Sequence, residues 1–213
     1  KDNWLSENLI LHWEGIETDT VVAGKDSFLV VSSIKLGNNN LQGELPKINL
    51  EHLKYLQLYN NDLSGEINEI NYPELIDLDL SNNNFIGNLP DLNTPKLKYL
   101  DLSYNSFSGE LPDYNFPDIE FIGISDNNLS GNIPNMNFAK LDQIILSDNS
   151  LSGEIPAMNL AMVTDIDFSS NNLTGGISNF NTPKLLSLDL SYNTIVDLPD
   201  FDYLKSLEFL SAS

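Results

Sequence analysis

Eight asparagines, Asn39, Asn61, Asn83, Asn105, Asn127, Asn149, Asn171 and Asn193, follow one another at intervals of 22 residues. The same frame surrounds each of them. The first copy is Val31, Ile34, Leu36, Asn39 and Leu41, the fourth is Leu97, Leu100, Leu102, Asn105 and Phe107, and the eighth is Leu185, Leu188, Leu190, Asn193 and Ile195. A short period sustained over most of a chain leaves few architectures open. One unit cannot bury its own apolar edge, so the units must stack and each must lean on the next. Within the frame LxxLxLxxNxL, positions 4 and 6 alternate with polar neighbours, the pattern of a half-buried strand. Each strand is expected to pair in parallel with its copy in the next unit, roughly 4.8 Å away. The asparagine follows the strand where the chain turns inward. Its amide can satisfy backbone groups that the turn leaves unpaired, so stacked copies form an asparagine ladder.

A second signature follows each asparagine, as in Phe107-Ser108-Gly109-Glu110-Leu111-Pro112 and Leu151-Ser152-Gly153-Glu154-Ile155-Pro156. Its glycine admits backbone angles that other residues resist, and its proline suits an edge or a turn. A further asparagine set, Asn49, Asn71, Asn93, Asn115, Asn137, Asn159 and Asn181, is also spaced by 22 and predicts a second ladder on the convex side. Pro73, Pro95, Pro117 and Pro183 recur just before the next strand and push the preceding residue toward extended geometry. So short and proline-rich a turn leaves little room for α-helix, and the convex side is expected to be extended or 3₁₀.

The combined motif LxxLxLxxNxLSGxIP resembles the plant-type class of leucine-rich repeats, found in plant receptor-kinase ectodomains, polygalacturonase inhibitors and many bacterial surface proteins. The resemblance covers residues 31–206 as eight repeats, with residues 207–213 as the start of a ninth. It implies an α/β-type leucine-rich-repeat solenoid: a right-handed coil, one parallel sheet on the concave face, a mostly extended or 3₁₀ convex side and little α-helix. Asn3-Trp4-Leu5-Ser6 and Trp13-Glu14-Gly15-Ile16 resemble the NWLS…WxGV cap that precedes such repeats, which makes residues 1–30 the N-terminal cap and Trp4 and Trp13 its covering rings. Plant caps carry a cysteine pair that this chain lacks, and a cysteine-free cap looks more bacterial. Such proteins are secreted or surface-attached and mediate binding, so an extracellular location is expected. Two departures stand out. The repeat has 22 residues rather than 24, and the eighth copy reads Ile195-Val196-Asp197-Leu198-Pro199, with Asp197 in the glycine's place. The coil is expected to change there.

Charge narrows the partners. The chain holds 31 acidic and 10 basic residues, a net charge of −21. A field of that sign repels nucleic acid and anionic membranes and favours cationic partners, metal ions or simply solubility. No apolar run is long enough to span a bilayer. With no cysteine, disulfides, thiolate metal sites and cysteine nucleophiles are excluded. The two histidines, His12 and His52, lack ligand-type spacing, and no phosphate-loop, dinucleotide or nucleophile-elbow motif occurs. Nothing in the sequence calls for a cofactor or a catalytic role.

In this fold, positions 2, 3 and 5 of each strand line the concave face. They place an aromatic group there, Tyr55, Tyr99 and Phe121, with Ile76 and Ile145 nearby. Exposed aromatics are enriched at binding hot spots, although half-buried sheets also tolerate them well. Positions 3 and 5 also carry Asp77, Asp79 and Asp101, then Asp165, Asp167 and Asp189. Same-position aspartates on adjacent strands lie about 5 Å apart. That spacing suits a partner's lysine or arginine, or Ca²⁺ held between carboxylates, while LDLS is also the plain consensus of the repeat. Tyr55, Asp77, Asp79, Tyr99, Asp101 and Phe121 are therefore the candidate ligand-binding residues. The expected function is a secreted or cell-surface module that binds a protein or peptide, a cationic one fitting the charge. The alternative is a structural spacer or adhesin segment of a larger surface protein that contacts polysaccharide. The chain stops inside a ninth strand at Phe209-Leu210-Ser211-Ala212-Ser213, without a cap, which predicts either continuation or self-association through that end.

Overall fold

The computed structural model describes residues 14–67, 69–177, 180–197 and 204–212. Every repeat contributes a three-residue strand at frame positions 3 to 5. Tyr55–Gln57, Asp77–Asp79, Tyr99–Asp101, Phe121–Gly123, Gln143–Ile145, Asp165–Asp167, Ser187–Asp189 and Phe209–Ser211 pair in parallel, each residue opposite the one 22 further on. The sheet is ten-stranded because a longer strand, Asp26–Lys35, leads it, with Ile16–Ala23 folded back antiparallel beside that strand. The strand from Asp26 to Lys35 runs unbroken through the boundary expected between residues 30 and 31. Trp4 and Trp13, the expected capping rings, lie outside the described residues.

Period-two alternation decides which side chains go inward. Leu78, Leu100, Ile144 and Leu188 at position 4 are fully buried, as are Leu80, Leu102 and Leu146 at position 6. Position 11 closes the core from the other side, with Phe85 and Phe107 buried and stacked at 6.1 Å. One continuous apolar core runs the length of the array, which is how a stack of individually unstable units becomes stable.

The sequence reading of the far side was incomplete. Gln42–Glu44, Asp62–Glu66, Asn84–Asn88, Ser106–Glu110, Asn128–Asn132, Ser150–Ile155, Asn172–Ile177 and Thr194–Asp197 form a second, eight-stranded parallel sheet. The segment is extended, as expected, but its strands also pair with one another. The described residues contain no α- or 3₁₀-helix. Glycine at position 13 permits this sheet. Gly87, Gly109 and Gly131 take φ of 84°, 82° and 78°, and the side chains of Glu66, Asn88 and Glu110 from the preceding strand lie over them. A Cβ there would meet those side chains at 2.9 Å or less. The register slips between Gly175 and Gly176, opposite the turn where Asp197 replaces the glycine, and also one repeat earlier, between Glu154 and Ile155, where the glycine is kept.

The asparagine ladder is present as expected, each amide satisfying backbone groups of the turn. The amides do not bond to one another. Asn83 Nδ2 donates to Leu80 O and Ser81 O of its own turn and to Leu58 O of the preceding repeat, while its Oδ1 accepts the Leu63 N–H. From Asn61 to Asn193, each such asparagine is thus a clamp between two repeats. Of the convex set, Asn71–Asn93 and Asn159–Asn181 are joined side chain to side chain, whereas Asn49 turns to Glu51.

Candidate functional site

Strand register brings all six candidate residues together. Position 3 forms a row, Tyr55, Asp77, Tyr99, Phe121, on four adjacent strands, and Asp79 and Asp101 lie in the neighbouring row at position 5. All point to the open face because position 4 between them points to the core.

Inside this cluster the aromatics divide. Tyr99 and Phe121 stack face to face, with ring centroids 4.5 Å apart and planes 9° from parallel. Tyr55 is cut off from that pair by Asp77 and carries its own cation, Lys35 Nζ, 5.1 Å from its ring centroid. Phe121 leans along its own strand onto Gly123, where a Cβ would meet the ring at 2.9 Å. A side chain at 123 would therefore displace the ring from this position. Phe121 also stands between two hollows of the concave face. One, about 580 Å³, is lined by Lys98, Tyr99, Glu120, Phe121, Gln143 and Met162 among others. The other, about 610 Å³, is lined by Asp101, Tyr104, Phe121, Asp126, Ile145, Asp148 and Asp167 among others.

The aspartates serve two purposes. Asp79, Asp101, Asp167 and Asp189 each accept the backbone N–H of the serine two residues on, at 2.9–3.1 Å, and Ser81, Ser169 and Ser191 add their hydroxyls. The Asp-x-Ser element of LDLS is thus first of all a turn device that satisfies backbone donors at the strand's end. Asp77 is different. Gln57 Nε2 donates to its Oδ2 at 2.7 Å, while its buried Oδ1 has no partner. Burial pushes the Asp77 carboxyl above the usual aspartate range against the pull of Gln57, and the charge of Asp79 adds to the rise. Burial likewise raises Asp101 despite the Ser103 N–H. The Tyr99 hydroxyl is pushed up by burial and by Asp101, Asp79 and Asp77, and it donates to Asp101 Oδ2 at 3.5 Å. Among the described residues no three acidic or histidine side chains converge as a metal site.

One expectation for this face needs correction. Ser32 and Ser33, placed on the open face by the frame, are 5 % and 1 % exposed. The added antiparallel strand is the cause, and the Ser32 hydroxyl reaches its Glu17 carbonyl. In the other direction, sequence reasoning missed position 8. There the chain takes left-handed backbone angles in every repeat, including Tyr104 (φ 55°), Asp126 (52°) and Asp148 (54°). Asparagine and aspartate tolerate this region, but tyrosine does so only under constraint. Tyr104 is 58 % exposed and belongs to the second hollow. The run of asparagine and aspartate at position 8 was the available signal.

A leucine-rich-repeat family model matches residues 74–93 and 96–115. The chain resembles the plant peptide hormone receptor RGFR1, solved with RGF2, at 28 % identity and a TM-score of 0.69 over 81 % of this chain and 34 % of that one. It also resembles the ectodomain of the Arabidopsis receptor kinase HAESA, solved with an extended IDA peptide hormone, at 26 % identity and a TM-score of 0.63 over 85 % of this chain and 37 % of that one. A plant ice-binding protein aligns over 99 % of this chain and 78 % of its own length, at 27 % identity and a TM-score of 0.64. The chain thus spans about a third of the receptor chains it matches. No curated protein matches it in sequence.

Proposed function

We propose that this leucine-rich-repeat protein is a secreted or cell-surface binding module that takes a peptide or an extended protein segment on its concave face, without catalysing a reaction. The observation that carries the reading is the Tyr99–Phe121 stack, whose Phe121 stands between two hollows of the open sheet. A spacer would need no such local feature. The likeness to receptors solved with peptide hormones supports the same class of ligand, and their being receptor ectodomains supports the extracellular location. Replacing Tyr99 and Phe121 together with alanine is expected to weaken binding by about 2 kcal/mol, roughly 30-fold. Folding should survive, because neither ring belongs to the core. An unchanged dissociation constant for a ligand captured by the wild-type protein would sink the assignment.

A second reading rests on the likeness, over 99 % of this chain, to a plant ice-binding protein. The eight-stranded sheet offers a regular surface on the other side of the coil. Its position 12 hydroxyls, Ser108, Ser130 and Ser152, each donate to the glycine carbonyl of the preceding strand at 3.3–3.4 Å, which fixes them in a regular row. On this reading the wild-type protein shows freezing-point hysteresis. Ser130→Tyr abolishes it, and the Tyr99/Phe121 double variant keeps it. A wild-type protein without hysteresis or ice shaping excludes this reading and leaves the first untouched.

A further inference from the structure

The concave face is polarised across its strands. All 10 basic residues of the chain are lysines. Those in the middle of the array lie at the N-terminal edge of the strands, where acids of neighbouring repeats neutralise them. Lys96 pairs with Glu74 at 2.5 Å, Lys98 with Glu120 at 2.8 Å and Lys140 with Asp118 at 2.6 Å. At the C-terminal edge, Asp101, Asp126, Asp148 and Asp167 surround the second hollow, and none of the ion pairs among the described residues involves them. Phe121 is the wall between the two regions. On one side the hollow is charge-balanced, with Lys98 and Lys140 against Glu120 and Asp142. On the other it has an apolar floor of Phe121 and Ile145 and an acidic rim.

We infer that the ligand is a basic peptide segment, with an apolar side chain seated against Phe121 and lysine or arginine groups along the Asp101–Asp126–Asp148–Asp167 edge. The inference rests on the peptide-binding reading and names the chemistry of its ligand. The apolar groove supplies the anchor, and charge complementarity at one edge only supplies direction. A neutral or acidic peptide would find no cation there to pair with. A polycation attracted by net charge alone would have no reason to prefer this edge over the acidic side chains of the eight-stranded sheet.

That contrast sets the experiment. A random-peptide display library is selected against the intact chain, and the enriched peptides are synthesised and titrated at about 0.15 M salt, where the screening length is about 8 Å. Three variants are compared: Asp126→Asn/Asp148→Asn at the edge, Glu66→Gln/Glu154→Gln on the other sheet with the same change of net charge, and Tyr99→Ala/Phe121→Ala. Enriched peptides that combine basic with apolar residues, weaken at least about tenfold with the edge pair and weaken about twofold or less with the control pair are the expected result. Peptides sensitive to the Tyr99/Phe121 change but lacking basic residues, or equally sensitive to both acid pairs, overturn the inference and leave the peptide-binding reading standing. Peptides indifferent to Tyr99 and Phe121, or no enrichment at all, overturn both.

Discussion

Phe107→Ala is expected to destabilise the protein by about 3–5 kcal/mol, the range for removing a fully buried aromatic ring from a core that cannot collapse around the space. Phe107 is completely buried, and its ring stacks on Phe85 of the preceding repeat. Relaxation is restricted because the backbone on both sides is held in the eight-stranded sheet, opposite Asn84–Asn88 and Asn128–Asn132. The same frame position holds Leu63, Leu129, Leu151 and Leu173 in other repeats. Phe107→Leu therefore keeps the packing type and should cost only about 1 kcal/mol, as volume-tolerant core swaps do. Urea titrations of both variants decide the matter. A loss below about 1 kcal/mol for Phe107→Ala would mean that the repeats close over the gap and that the core is more plastic than a close-packed interior allows.

This column shows how much of the fold the sequence made legible. The 22-residue period fixed which side chains stack, since position 11 repeats without exception from Leu41 to Ile195. The parallel pairing of positions 3 to 5 followed from the same period. The second sheet escaped because its strands carry a glycine in the middle, as in Ser106–Glu110, and a mid-segment glycine reads as a turn or a bulge. The alternation of Ser106, Phe107 and Ser108 was the strand signal, and the side chain of Asn88 over Gly109 shows what the glycine makes room for.

The candidate site was legible to the same depth. Period two placed Tyr55, Asp77, Tyr99 and Phe121 in one row, as the structure has them. The sequence did not reveal how that row is divided. Lys35 on Tyr55 and Gln57 on Asp77 depend on rotamers meeting across repeats, and no spacing rule encodes them. The same holds for the lean of Phe121 onto Gly123, which separates a charge-balanced hollow from an acidic one.

Asn127→Ala is expected to cost about 3 kcal/mol, the upper end of the range for leaving buried polar groups unpaired. The side chain is 8 % exposed and serves four backbone groups. Its Nδ2 donates to Ser125 O at 2.9 Å and Ile124 O at 3.4 Å within its own turn, and to Leu102 O of the preceding repeat at 3.1 Å. Its Oδ1 accepts the Phe107 N–H at 3.0 Å. Alanine removes all four bonds together, and the interior at this point offers the freed groups no replacement. Two of the four cross to the preceding repeat, so the variant loses coupling between neighbours as well as local satisfaction, and coupling is what holds a stack of weak units together. Leucine would do no better, since it fills the space without supplying a donor or an acceptor. For a chain of this size about 3 kcal/mol corresponds to a fall in melting temperature of roughly 6–12 °C. The Asn39 side chain, at the first turn, donates among the described residues only to Gly37 O of its own turn at 2.8 Å, so Asn39→Ala should cost far less. Calorimetric melts of the two variants test the clamp directly: equal melting temperatures would show that the inter-repeat bonds of Asn127 add nothing to stability.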